Sequence, residues 1–368
     1  MKSICFWLFF FSLPLLGNAK MHLELVGDFN LNTETKFQGV LVGGLSGIDY
    51  NSKLNRLVSI SDDRAQRGPA RLYELDFQLT KTPVTFQVKK QINLKDEKSK
   101  PIAMGHIDAE GIRLLNSGNY LISTEGDSRQ TLLPTESNVL DFNPSGSLIR
   151  KFSIPISVQH KARIQTGTRN NRGFEALAVS LDEKTVLVAS ESSLAQDFNE
   201  DQKKAPQPCR VLVYQKSKNS SYTYQGSFVY KIDRLYSDSL KSSKLKGEQG
   251  LVELTFLNSE TVLALERGYI KNHNHQINRI YSFKLPNPEQ LKKEGSTKTL
   301  KKIKKTLILD LDQPSFLKRL SAGFQSIDNL EGMTVGPKRN GKKTLILASD
   351  NNFSESQRTQ FLVFTIHP

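Results

Sequence analysis

One short pattern recurs five times along this chain: a small or acidic residue, then Gly or Ala, then an aliphatic residue, followed about ten residues on by an apolar run that closes on a carboxylate. The openings are Ser46-Gly47-Ile48, Glu110-Gly111-Ile112, Glu175-Ala176-Leu177, Gln249-Gly250-Leu251 and Glu331-Gly332-Met333, and the runs close on Asp62, Glu125, Glu191, Glu266 and Asp350. Self-similarity at such a spacing decides the fold before any local motif does, because it fixes which distant residues become neighbours. Here it gathers carboxylates.

Successive openings lie 64, 65, 74 and 82 residues apart, too far for a helical-pair repeat and long for a compact four-stranded blade, so loops carry the excess. The second copy shows the unit most plainly. Strands are expected over 110–115, 120–125, 138–142 and 148–154, with the turns Asn116 to Asn119 and Asn143-Pro144-Ser145-Gly146 between them. The last copy has only three strands, while an unpaired strand from His22 to Phe29 stands at the other terminus. Pairing of the two would complete that blade and close the ring, which removes the open sheet edges that invite aggregation. The expected fold is an all-β propeller of five four-stranded blades. A sixth, degenerate blade and a stack of antiparallel hairpins remain open alternatives.

Residues 1–19 read as a secretory leader: Lys2, an apolar stretch from Ile4 to Leu16, and Gly17-Asn18-Ala19 as a small-x-small cleavage site. The apolar stretch is too short to span a bilayer and contains Pro14. The expectation is a periplasmic or secreted protein cleaved near Ala19, with one propeller domain over 20–368 and no stable membrane span. Loss of the leader removes Cys5 and leaves Cys209 alone, which excludes an internal disulfide.

The formal charge is +14, and much of the excess is local, with seven lysines between Lys292 and Lys305. A nucleic-acid groove needs aromatics among its basic residues, and this run has none. A solvated insertion loop and no nucleic-acid partner are expected, together with a monomer.

In a meander the start of strand one and the end of strand two share a sheet edge. Glu110, Glu175 and Glu331 should therefore share one propeller face with Asp62, Glu125, Glu191, Glu266 and Asp350, which places eight carboxylates on one rim. Third strands return to the same face, so Arg71 is expected there as well, and loops add Arg64, Arg129, Arg172 and Arg267. Crowded carboxylates cannot all ionise without counter-charge, and hard oxygen ligands from several loops suit Ca²⁺. Metal and arginines together would receive a small anionic or ester substrate. We assign Asp62, Glu125, Glu175, Glu191, Glu266 and Asp350 to the cation. Arg64, Arg71, Arg129, Arg172 and Arg267 are assigned to the substrate, and Glu110, Glu331 and His106 to the chemistry. The competing reading has these acids simply locking blade to blade through arginines and backbone amides. Zinc is disfavoured, since the six histidines form no HExxH and Cys209 has no partner. His273 and His275 fall on an expected exposed loop. Ser46 lacks the GxSxG context of a nucleophile elbow.

At these residues the chain resembles the bacterial phytase-like propeller family, often labelled "esterase-like activity of phytase". The resemblance rests on Gly44-Leu45-Ser46-Gly47-Ile48 with Ser61-Asp62-Asp63, and on Asp108-Ala109-Glu110-Gly111-Ile112 with Ser123-Thr124-Glu125. It continues in Asn171-Arg172-Gly173-Phe174-Glu175-Ala176-Leu177 and in Asp328-Asn329-Leu330-Glu331-Gly332-Met333 with Ser349-Asp350-Asn351. It implies a secreted or periplasmic propeller and, by analogy with calcium-dependent propeller phytases, a hydrolase. Ser46 and Gln249 depart from the acidic opening. A non-catalytic envelope-binding propeller and a lactonase-like hydrolase are the alternatives.

Overall fold

A computed structural model describes residues 21–79, 83–126, 136–161, 166–198, 207–219, 221–237, 239–240, 245–321 and 326–368. The leader, Arg129 and part of the lysine-rich stretch 241–246 lie outside the described residues.

The chain opens with β1 (His22–Leu31) and a small ribbon of β2 (Lys36–Phe37) and β3 (Val40–Leu41). Blade 1 follows as β4 (Leu45–Asn51), β5 (Arg56–Ser61), β6 (Arg71–Gln78) and β7 (Thr85–Asn93). Blade 2 is β8 (Ala109–Leu114), β9 (Tyr120–Thr124), β10 (Asn138–Phe142) and β11 (Leu148–Lys151). Blade 3 is β12 (Phe174–Val179), β13 (Thr185–Ser190), β14 (Gln207–Lys216) and β15 (Tyr222–Ile232). Blade 4 is β16 (Gly247–Phe256), β17 (Thr261–Ile270), β18 (His275–Lys284) and β19 (Lys305–Asp310). Blade 5 takes β20 (Leu330–Arg339), β21 (Lys342–Ser349) and β22 (Thr359–His367) from the C-terminal end and β1 as its outer strand.

Each blade is an antiparallel meander, and the protein is a five-bladed β-propeller. No sixth four-stranded sheet occurs among the described residues. β1 pairs with β22 from His22 opposite His367 to Leu31 opposite Thr359. First strands are innermost: β4, β8, β12, β16 and β20 pack on one another in cyclic order. Five apolar clusters fill the five junctions between neighbouring blades, the one joining blades 5 and 1 combining Leu45, Ile48 and Tyr73 with Ile346, Phe361 and Val363.

Burial follows strand position. The β9 strand is buried at every residue, whereas outer strand β7 alternates between buried and exposed, as a half-covered strand must. The Asn143–Gly146 turn into β11 needs its glycine, which has φ of +82°. The lysine-rich segment lies along the outer edge of blade 3, bridging Ser227 to Lys292 and Val229 to Lys302, and exposes Lys292, Lys293, Lys298, Lys301, Lys302 and Lys304. It covers a free strand edge with charge, a recognised protection against edge-to-edge pairing. Lys305, the last of the run, turns inward to Glu266 and Asp233.

Candidate active site at the propeller face

A β-bulge at the start of the first strand builds the site in four of the blades. In blades 1, 2, 3 and 5 the ladder slips between Leu45 and Gly47, Ala109 and Ile112, Phe174 and Leu177, and Leu330 and Gly332. The slipped stretches contain Ser46, Glu110, Glu175 and Glu331. A bulged residue leaves the pleat, so its side chain can be aimed away from the blade interface and toward the axis. The small residue after it allows the close approach of neighbouring inner strands: a Cβ on Gly111 would meet Glu175 O and Ser123 Oγ, each at 2.6 Å.

In blades 1, 2, 3 and 5 the second acid of the repeat stands one residue past the second strand. Backbone N–H groups of Asp62, Glu125, Glu191 and Asp350 donate to Gly44, Asp108, Gly173 and Asn329 carbonyls at 2.7, 2.8, 2.9 and 2.9 Å. The two sets converge on a cavity of 660 Å³ lined by Asp62, Glu110, Glu125, Glu175, Glu191, Glu331 and Asp350, with Arg64, Arg172 and Arg267. Arg64 reaches it from a left-handed backbone, φ +48°, which a non-glycine residue holds only under constraint. A model of the phytase-like family, described as esterase-like activity of phytase, matches residues 40–353 and so spans this rim, blades 1 to 4 and the two inner strands of blade 5. The chain belongs to the phytase-like family.

No curated protein matches this phytase-like chain. Among solved structures it is similar to an endo-arabinase from Bacteroides thetaiotaomicron, at 8% identity over 89% of this chain and 95% of the other, TM-score 0.44. It is also similar to the Malassezia sympodialis allergen Mala s 1, at 11% identity over 89% and 94% of the two chains, TM-score 0.38.

Blade 4 departs from the others in this phytase-like propeller. Its bulge falls between Leu251 and Glu253, with Glu266 opposite Leu251. The structural equivalents of the acid pair are therefore Val252 and Arg267, shifted by three residues and by one from Gln249 and Glu266. A one-residue shift turns a strand side chain to the other face. Glu266 accordingly points into the junction of blades 3 and 4, where it meets Lys305 Nζ, Tyr230 Oη at 2.7 Å, the Asp233 N–H at 3.1 Å and Gln249 Nε2 at 2.9 Å. Arg267 takes the rim position, with Nη2 3.1 Å from Glu191 and 3.3 Å from Glu331.

Two further expected site residues lie away from the cavity. Arg71 starts a third strand, two strands out from the axis, and is fully buried against Asp63, with Tyr73 Oη at 2.5 Å and Leu41 O at 3.1 Å. His106 is exposed on the loop before β8 and does not line the cavity. The other third-strand arginines serve similarly: Arg210 pairs with Asp197, and Arg279 with Asp310 at 2.8 Å. Arg172 does line the cavity, held between Glu191 and Glu248. Asp108 was not foreseen as a site residue, although it stands only two residues before Glu110. Its carboxylate is buried and 2.5 Å from Arg64 Nε.

The electrostatics are those of too many acids for the cations present. The whole lining holds nine carboxylates against five lysine and arginine side chains. Burial, then the Asp62 charge, pushes Asp108 up to about 9. Burial and Glu191 push Glu125 up to about 8. Glu331 rises to about 7 by burial, with Arg267 opposing the rise. Glu110, Glu175 and Asp350 are driven well above the usual carboxylate range, by burial first and then by neighbouring carboxylates. Two groups bring oxygens within 4.8 Å of one another, Asp62 with Asp108 and Glu110, and Glu125 with Glu175 and Glu191. Asp62 Oδ1 is buried without a hydrogen-bond partner. An all-oxygen donor set from three blades, with an orphaned carboxylate oxygen, fits a hard cation of flexible coordination such as Ca²⁺.

Proposed function

We propose that this phytase-like propeller is a calcium-dependent hydrolase of phosphoesters and related small anionic esters, working in the rim cavity. The observation that carries the reading is the surplus of buried carboxylates over cations in one cavity. Away from the rim, buried acids such as Asp63 and Asp310 have a basic partner, Arg71 and Arg279, whereas the rim's acids exceed its basic side chains and the surplus is left to protons or a bound cation.

Asp62, Glu125, Glu175, Glu191 and Asp350 would hold the cation, joined by Asp108. When bound, the cation supplies Lewis-acid polarisation of the ester. Arg64, Arg172 and Arg267 offer planar guanidinium donors to the substrate anion. Arg129, outside the described residues, is proposed for the same role. Glu110 is assigned to positioning water over the cation cluster. Glu331, brought near neutrality and fixed by Asn329 Nδ2 at 3.0 Å, would give its proton to the departing oxygen. An extracytoplasmic location is proposed on the leader-like residues 2–19 alone. Among the described residues no helix is long and apolar enough to cross a membrane.

The test is turnover of 4-nitrophenyl phosphate and of a carboxylate nitrophenyl ester by purified protein. Release that is abolished by chelation, restored by Ca²⁺ and lost in E110Q/E331Q supports the reading. Calcium that raises the melting temperature without any turnover favours a binding propeller instead.

A further inference from the structure

The second strand of blade 4 runs on past the rim, whereas those of the other blades end one residue before their acid. The β17 strand continues three residues past Arg267, to Ile270, and the chain turns through 271–274 to return at His275 opposite it. Asn274 makes that turn with φ of +47°. Tyr269, His275 and Gln276 of this hairpin line the same cavity as the carboxylates.

His275 is tied at one nitrogen only. Its Nε2 lies 2.6 Å from Asp312 Oδ1, and no protein group among the described residues bonds its Nδ1. Asp312 is itself firmly held. Ser237 Oγ donates to Oδ2 at 2.7 Å, Ser239 Oγ donates to Oδ1 at 2.8 Å, and the carboxylate side chain is 1% exposed. Burial pushes its pKa up, but the bonds from His275, Ser237 and Ser239 outweigh burial and leave it below the usual carboxylate value. An ionised acceptor needs a donor, so in the neutral imidazole the proton is on Nε2 and the lone pair on Nδ1. Ser239 Oγ is also 3.3 Å from Nε2, yet this is no nucleophile triad, because that nitrogen donates to Asp312 and has no lone pair for a serine proton.

We infer that His275, oriented by Asp312, is a general base for water in the rim cavity. The inference rests on the hydrolase reading above. In the step it serves, one O–H bond of water breaks, its proton passes to Nδ1, and its oxygen bonds to phosphorus. The P–O ester bond breaks with its electron pair on the alcohol oxygen, which takes a proton from Glu331. The imidazolium then returns its proton to the Glu331 carboxylate through solvent. Asp312 acts through His275 and is a positioning residue.

The experiment uses the full mature chain with added Ca²⁺ and 4-nitrophenyl phosphate. H275Q keeps an amide N–H for Asp312 and removes the base, so kcat should fall about 10²- to 10⁴-fold with KM little changed. D312N offers its amide N–H to Nε2, moves the proton to Nδ1, and should lower kcat likewise. Nitrogen-15 NMR should show Nε2 protonated in the wild type and Nδ1 protonated in D312N, a readout independent of turnover. Wild-type turnover retained in H275Q overturns the role of His275 alone. A wild-type imidazole protonated on Nδ1 overturns it too, and decides the matter should H275Q fail to fold. Absence of turnover in the calcium-loaded wild type overturns both this role and the hydrolase reading.

Discussion

Buried acids away from the cavity and buried acids around it differ in their supply of counter-charge. Away from the cavity, Asp63 has Arg71, Asp310 has Arg279, Asp197 has Arg210, and Glu266 has Lys305, which it shares with Asp233, while Asp49 and Glu253 share Arg113. Around the cavity carboxylates outnumber basic side chains nine to five, and Arg267 is shared between Glu191 and Glu331. The fold can thus pair an acid wherever it needs one for cohesion. Leaving the rim with more acids than cations costs stability, and the raised carboxyl groups of Glu125, Glu331 and Asp108 reflect that cost.

The comparison breaks most visibly at Arg71. R71M leaves Asp63 buried without its cation and should cost about 3–5 kcal/mol by urea unfolding, since breaking a buried pair strands a charge. Equal stability of R71M and wild type would put Arg71 outside the structural class.

The next effect is calcium itself. At one hundred times its dissociation constant it should add about 2.7 kcal/mol. The sign of the pH dependence follows from the raised carboxyl groups. Folded protein keeps protons that unfolded chain has already released between the ordinary carboxylate range and about pH 7 to 9. Metal-free protein should therefore lose stability as pH rises through that window, and saturating calcium should flatten or reverse the loss. A metal-free melting temperature that climbs from pH 5 to pH 8 would contradict this.

Much of this was legible in the sequence, and the exceptions share a cause. The five repeats placed the blades, the closing strand and the acids of blades 1, 2, 3 and 5, because the same bulge recurs beside the same small residue. Blade 4 misled because Gln249-Gly250-Leu251 matches the pattern in sequence while the ladder slips at Val252, a register choice made by packing. Arg71 misled because topology fixes the edge on which a side chain starts, and not its distance from the axis. His275 was hidden because its partner Asp312 lies 37 residues away, past the lysine-rich insertion.

A smaller effect should come from neutralising two rim acids. E175Q/D350N keeps shape and removes charge, so metal-free protein at about pH 8 should gain on the order of 1 kcal/mol while its calcium increment shrinks. A less stable metal-free variant with an intact calcium increment would move both acids into the structural class. Smallest of all, K292Q/K293Q/K298Q on the exposed edge cover should change thermal stability by less than about 0.5 kcal/mol.

The central claim is that the surplus of rim carboxylates forms a cation site, and calorimetric titration of metal-free protein with Ca²⁺ near pH 7.5 tests it most directly. The account predicts saturable binding with proton release in the wild type, lost or strongly weakened in D62N/E175Q, whose two side chains come from separate blades and from separate acid groups. No binding heat in the wild type at several temperatures, or an unchanged isotherm in the double variant, would contradict it.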